Sequence, residues 1–180
     1  SKRTHRATWN EQGMTLSGQP VRSEPPMAVD GSFDNGAARA SFEIVPYAAW
    51  HLRALTLQPV QAELGAFITA GNFAEKVALA GPSWTALEDG RPIACAGFTI
   101  PWEGRAIAWA ALGDCGARMV RVTRAVRQAI DRCRAVRVEC QVKAGFAPGL
   151  RWAAALGFRR ECLMPRFYGG EDFWSYVILK

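Results

Sequence analysis

Residues 105–142 carry the pattern that most restricts the fold. Over 105–112, Ile107, Trp109 and Ala111 alternate with Ala106, Ala108 and Ala110, the period of a strand with one face made of small residues. Gly113-Asp114-Cys115-Gly116 breaks that period, and 117–133 takes up a helical one. Met119, Val122, Val126, Ile130 and Cys133 fall in one stripe about 60–80° wide, with Arg118, Arg121, Arg124, Arg127, Arg132 and Arg134 on the opposite side. A second strand period follows at 136–142. A strand, a crossover helix and another strand pair in parallel, so this span predicts a sheet with a helix packed on its face.

The flanking segments extend that sheet. Ahead of it, 83–88 and 91–100 are joined by Asp89-Gly90, the strongest short hairpin signal, and Glu103-Gly104 turns the chain into 105–112. Further upstream the reading is a strand over 42–45, a helix opened by Pro46 and running through 54, a helix over 58–70 and a short helix over 73–79. Downstream come a helix over 147–156 ended by Gly157, then strands over 159–163 and 173–179 joined through Pro165 and Gly169-Gly170. The predicted order, β-α-α-β-β-β-α-β-α-β-β, gives an α/β fold built on a mixed sheet with helices on both faces.

Residues 1–41 read as a separate N-terminal arm, and 42–180 as the domain. The arm scatters Gly, Pro, Ser and Asn without a period and could not offset its own ordering entropy. Trp9, Met14, Leu16, Val21 and Phe33 are spaced like isolated anchors, to be seated on neighbouring subunits or on the chain's own domain. The 180 residues suit one domain with a sizeable core. No apolar run is long enough for a transmembrane helix, and none behind Ser1-Lys2-Arg3 suggests a secretory leader. Five cysteines without a C-x-x-C pair point to reduced thiols, and two histidines exclude a multi-histidine metal centre. Cys115 reads either as a thiolate at a helix N-terminus or, as expected of a buried cysteine, as a small hydrophobe. The net charge of +6 is concentrated in 118–137, where seven Arg face only Asp131. That stripe is either a solvated face or a sequence-blind contact to DNA phosphates.

The element order, with Ala155-Leu156-Gly157-Phe158 placed directly before a strand, resembles the GNAT superfamily of N-acetyltransferases, whose penultimate helix commonly ends in Leu-Gly-Phe. The resemblance covers 42–180. It implies acetyl-CoA in a V-shaped gap between the fourth and fifth strands, here 105–112 and 136–142, with its pyrophosphate at the N-terminus of the intervening helix. Leu112, Gly113, Gly116, Ala117 and Arg118 are then the cofactor-binding candidates. The family's Gln/Arg-x-x-Gly-x-Gly/Ala pattern is not met in any frame, because Cys115 follows Gly113 and Arg118 follows Gly116 at the second position. Asp114 adds a negative charge where a pyrophosphate would lie. The tyrosine the family places five residues before the Phe is Ala153 here, and 105–112 holds no carboxylate. Glu139 on the neighbouring strand is a candidate base, with an ion pair to an Arg as the expected role. Tyr168 and Tyr176 are candidates for the missing acid, with packing as the expected one.

The degenerate loop, the ending Phe173-Trp174-Ser175-Tyr176-Val177-Ile178 and the Gly-Gly-Glu-Asp turn before it also resemble the internal virion protein family of short-tailed bacteriophages. That resemblance implies a non-catalytic structural component of a phage particle, at the portal, adaptor or tail or inside the head. It would use no cofactor, dock other virion subunits through its arm in a symmetric oligomer, and reside in the virion after assembly in the host cytoplasm. The alternative is an active, cytoplasmic, acetyl-CoA-dependent N-acetyltransferase with a diverged loop, using Glu139 and a C-terminal tyrosine.

Overall fold

The structure, a computed structural model, describes residues 40–62, 65, 68 and 71–180. The proposed arm anchors Trp9, Met14, Leu16, Val21 and Phe33 lie outside the described residues. Seven strands form one sheet: β1 (Phe42–Pro46), β2 (Ser83–Glu88), β3 (Arg91–Trp102), β4 (Arg105–Leu112), β5 (Arg137–Lys143), β6 (Arg159–Tyr168) and β7 (Glu171–Leu179). Their order across the sheet is β1-β2-β3-β4-β5-β7-β6. Every neighbouring pair is antiparallel except β4 and β5, the pair joined by the crossover helix. The helices are α1 (Ala49–Ala54), α2 (Phe73–Ala80), α3 (Met119–Arg132) and α4 (Ala147–Ala155).

The local chemistry explains the frame. Asp89 at φ 50° and Gly90 at φ 75° make the left-handed two-residue turn between β2 and β3, and the Asp89 carboxylate accepts the Ser41 N–H at 2.7 Å. Along β4 the alternation sends Trp109 and Ala111 to the face covered by α1 and α2, where Leu52, Leu55, Ala74, Val77 and Cys95 close the core. Ala106 and Ala108 face the other side, against α3 and α4, with Val138, Ile130, Leu156, Phe158 and Tyr176. The sheet is therefore buried on both faces around β4 and β5, as a parallel pair requires.

Three local expectations are corrected. Pro46 ends β1 rather than opening a helix, and α1 begins at Ala49. β6 runs through Pro165 to Tyr168: Arg166 adopts φ 50° and the register slips between Met164 and Tyr168, so the proline sits in a bulge instead of ending the strand. The start of the helix expected over 58–70 is a single 3₁₀ turn, Pro59–Gln61, with helical residues at Ala62, Gly65 and Ile68 beyond it. Among the described residues no helix is long and apolar enough to cross a membrane.

Candidate functional site

β4 and β5 pair only at Arg105/Arg137, Ala106/Val138 and Ile107/Glu139. Beyond Ile107 the strands part, while β4 stays paired with β3 as far as Ala94/Leu112 and β5 with β7 as far as Lys143/Phe173. The parting leaves one edge of β4 without a strand partner. Which groups line it follows from parity. Gly113 N–H donates to Ile93 O at 2.9 Å on the β3 side, so odd residues bond β3 and the main-chain groups of Ala108, Ala110 and Leu112 point into the gap.

Ala110 O and the Leu112 main chain are met by a strap formed by Gln58–Gln61. The Gln61 side-chain amide bridges the edge: Nε2 donates to Ala110 O at 2.9 Å, and Leu112 N–H donates to Oε1 at 2.8 Å. Gln58 extends the contact, its main-chain N–H donating to Leu112 O at 2.8 Å and its Nε2 to Gly113 O at 2.9 Å. Gly113 is where the strap crosses, and a Cβ there would lie 2.8 Å from Thr56 O. Glycine at 113 thus allows the close approach of the α1–α2 connection.

α3 follows β4 and α4 follows β5, and both pack on one face of the sheet at the parting. Trp152 on α4 ties them together: its Nε1–H donates to Thr123 Oγ1 at 2.9 Å, and that hydroxyl donates to Met119 O at 2.8 Å. Ahead of α3, the loop is folded on itself. Asp114 Oδ1 accepts the Gly116 N–H at 3.1 Å, and Arg118 N–H donates to Cys115 O at 2.8 Å. Cys115 is buried, its thiol donates to Ile93 O at 3.4 Å, and burial, then the Asp114 and Glu88 charges, push its pKa up. It is a packed hydrophobe and not an activated nucleophile. Gly116 has φ 44° with open space where a Cβ would be, and Ala117 follows it in a 3₁₀ turn. Arg118 is engaged by Glu88 at 2.7 Å. Arg121 lies over the Phe42 ring at 4.2 Å, and Arg127 bonds Ala155 O, so much of the arginine face is already held by its own surroundings.

Glu139 sits at the point of parting, 3% exposed. Arg105 Nε donates to its Oε1 at 2.8 Å and Arg137 Nε to its Oε2 at 2.8 Å. Burial opposes ionisation, but the hydrogen bonds and charges of the two guanidiniums outweigh it and hold the carboxyl below the ordinary glutamate value. Arg137 also bonds Glu161, which receives Ser175 Oγ–H at 3.3 Å. Tyr176 is buried on β7, and its hydroxyl meets Arg160 on β6 at 3.4 Å, the far side of β7 from the gap. Tyr168 lies at the β6–β7 turn, edge-on to Phe173. The fold thus brings Glu139 to the parting and directs both tyrosines elsewhere. Sequence reasoning missed Gln58, Gln61, Thr123 and Trp152; only paired glutamines three residues apart ahead of a helix could have hinted at the strap.

A seven-stranded sheet whose single parallel pair parts beside a crossover helix recurs in known structures. The fold matches solved structures of the GNAT superfamily. An acetyltransferase of the GNAT family from Bacillus anthracis superposes with a TM-score of 0.57 at 14% identity, over 78% of this chain and 96% of that one. One from Streptococcus pneumoniae gives 0.57 at 12% identity, over 78% and 100%. A Salmonella typhimurium protein assigned as an acetyltransferase and solved with its cofactor acetyl-CoA gives 0.56 at 13% identity, over 77% and 93%. No family model and no curated protein sequence matches the chain.

These matches correct two expectations. The non-catalytic virion component is not sustained: the solved structures the chain resembles are acetyltransferases, and nothing ties it to a phage particle. The expectation of no cofactor falls with it, because the Salmonella typhimurium protein of the same fold is solved with its cofactor acetyl-CoA. The family's glycine pattern is missing from the loop, whereas the parted edge is set by where strand pairing stops.

Proposed function

We propose that this chain is an acetyl-CoA-dependent N-acetyltransferase that binds its cofactor along the parted edge of β4, between α3 and α4. One observation carries the reading: Ala110 O and Leu112 N–H already hold an amide, that of Gln61, in the gap where β5 has left β4. The pantetheine arm of coenzyme A carries two amides, so the donor and acceptor present fit it. Ala108 and Ala110 themselves put only methyl groups on that stretch of β4. The phosphate end would meet Gly116, Ala117 and the first turn of α3, where Asp114 and Glu88, the latter paired with Arg118, carry the opposing charge.

Acetyl-CoA, when bound, supplies an acetyl group activated as a thioester. Both Glu139 oxygens accept from guanidiniums, Oε1 from Arg105 and Oε2 from Arg137, so Glu139 holds the two arginines at the parting and is not the base. The acceptor amine therefore arrives neutral from the α1–α2 face. The test is release of coenzyme A thiol from acetyl-CoA in the presence of a panel of primary amines and amine-bearing peptides. Amine-dependent release supports the assignment; amine-independent background alone with every acceptor counts against it.

A further inference from the structure

We propose that the Gln58–Gln61 strap is an internal competitor for the cofactor edge, so that acyl-CoA enters by displacing it. This rests on the acetyltransferase reading. Gln61 places a side-chain amide on Ala110 O and Leu112 N–H with the same donor and acceptor polarity that a pantetheine amide would present. Both cannot occupy the edge together. Gln58 adds two more bonds, to Leu112 O and Gly113 O, so four hydrogen bonds hold the strap to β4.

The strap is built to let go. None of the residues in its 3₁₀ turn is buried, and Val60 is 40% exposed, so its release gives up hydrogen bonds and very little apolar burial. Each such bond has only a small net value because water takes its place. The strap also has somewhere to go. A cavity of about 720 Å³ adjoins it, lined by Trp50, Thr56, Leu57, Ile93 and Asp114 as well as by Gln58 and Pro59 themselves. Entry of an acyl-CoA arm would swing the strap toward that cavity and reshape the α1–α2 side of the parting, from which the acceptor comes. Cofactor occupancy thereby sets the shape of the acceptor side.

The experiment is hydrogen exchange by mass spectrometry on the full chain with and without acetyl-CoA, alongside calorimetric titration of acetyl-CoA into the wild type and Gln61→Ala. Exchange in a peptide spanning 56–62 should accelerate about tenfold on cofactor addition while 108–112 stays protected. Loss of the two Gln61 bonds should tighten acetyl-CoA binding by about tenfold. If the wild type binds acetyl-CoA with exchange at 56–62 unchanged, and Gln61→Ala binds no tighter, the strap is not a competitor and the acetyltransferase reading stands. If neither protein binds acetyl-CoA, that reading falls and the strap proposal with it. The exchange measurement uses the wild type alone, so poor folding of the variant does not decide the outcome.

Discussion

Replacing Glu139 with glutamine removes the charge that Arg105 and Arg137 share and should cost stability with a specific pH signature. Breaking a fully buried ion pair costs about 3–5 kcal/mol, and an exposed one about 0–1 kcal/mol. Glu139 is an intermediate case: its side chain is 4% exposed, but those of Arg105 and Arg137 are 30% and 33% exposed and can turn to water. Arg137 also keeps Glu161, and Arg105 keeps its place 4.4 Å over the Trp102 ring. The expected loss is therefore about 1–2 kcal/mol at pH 7, which for a chain of this length lowers Tm by roughly 3–6 °C. The folded-state pKa of Glu139 lies below its unfolded value of 4.5. Its contribution is thus fully present above pH 4.5 and disappears as pH falls through the folded value. Thermal unfolding followed by circular dichroism at pH 7 and near pH 3 reads both effects. Equal melting temperatures at pH 7, or a gap between the two proteins that widens on acidification, would refute the ion-pair reasoning.

Further tests probe the site. The rate of acetyl transfer should rise with pH along the acceptor amine's own ionisation, and Glu139→Gln should leave the shape of that profile unchanged; a lost limb in the variant would make Glu139 the base. Asp114→Asn preserves the oxygen that caps the Gly116 N–H and removes the charge, so it should tighten acetyl-CoA binding about threefold at low salt, with the gain shrinking at high salt. Trp152→Phe removes the bond to Thr123 and should cost about 1 kcal/mol in denaturant unfolding, a loss that Thr123→Val does not deepen when the two are combined. Brief iodoacetamide treatment of the native chain should label exposed Cys162 and spare Cys95 and Cys115, whose thiols are buried, as peptide mapping would read.

What could be read from the residues was whatever local chemistry specifies. Asp89-Gly90 fixed the β2–β3 turn, the change from a two-residue to a helical period at 113–117 located the parallel crossover, and Leu156-Gly157-Phe158 placed the end of α4. Pro165 misled because a bulge can carry a proline through an edge strand. The strap misled in a different way: Pro59, Val60 and Gln61 have a helical pattern, but Gln58 and Gln61 spend their amides on β4 main-chain groups some 50 residues away in sequence. Glu139's partners were only half visible, since Arg137 is on its own strand and Arg105 comes from β4. The functional expectation failed for the same reason as the strap. A missing glycine pattern is a statement about side chains, while the β4 edge that β5 leaves without a strand partner is a main-chain feature that no residue type announces.

The most direct measurement is calorimetric titration of acetyl-CoA into the purified full-length chain. Saturable binding at one site per chain, in the micromolar range typical of substrates, is the expected result and would place the cofactor on this fold. Absence of binding up to millimolar acetyl-CoA would contradict the assignment of the β4 edge as a cofactor slot.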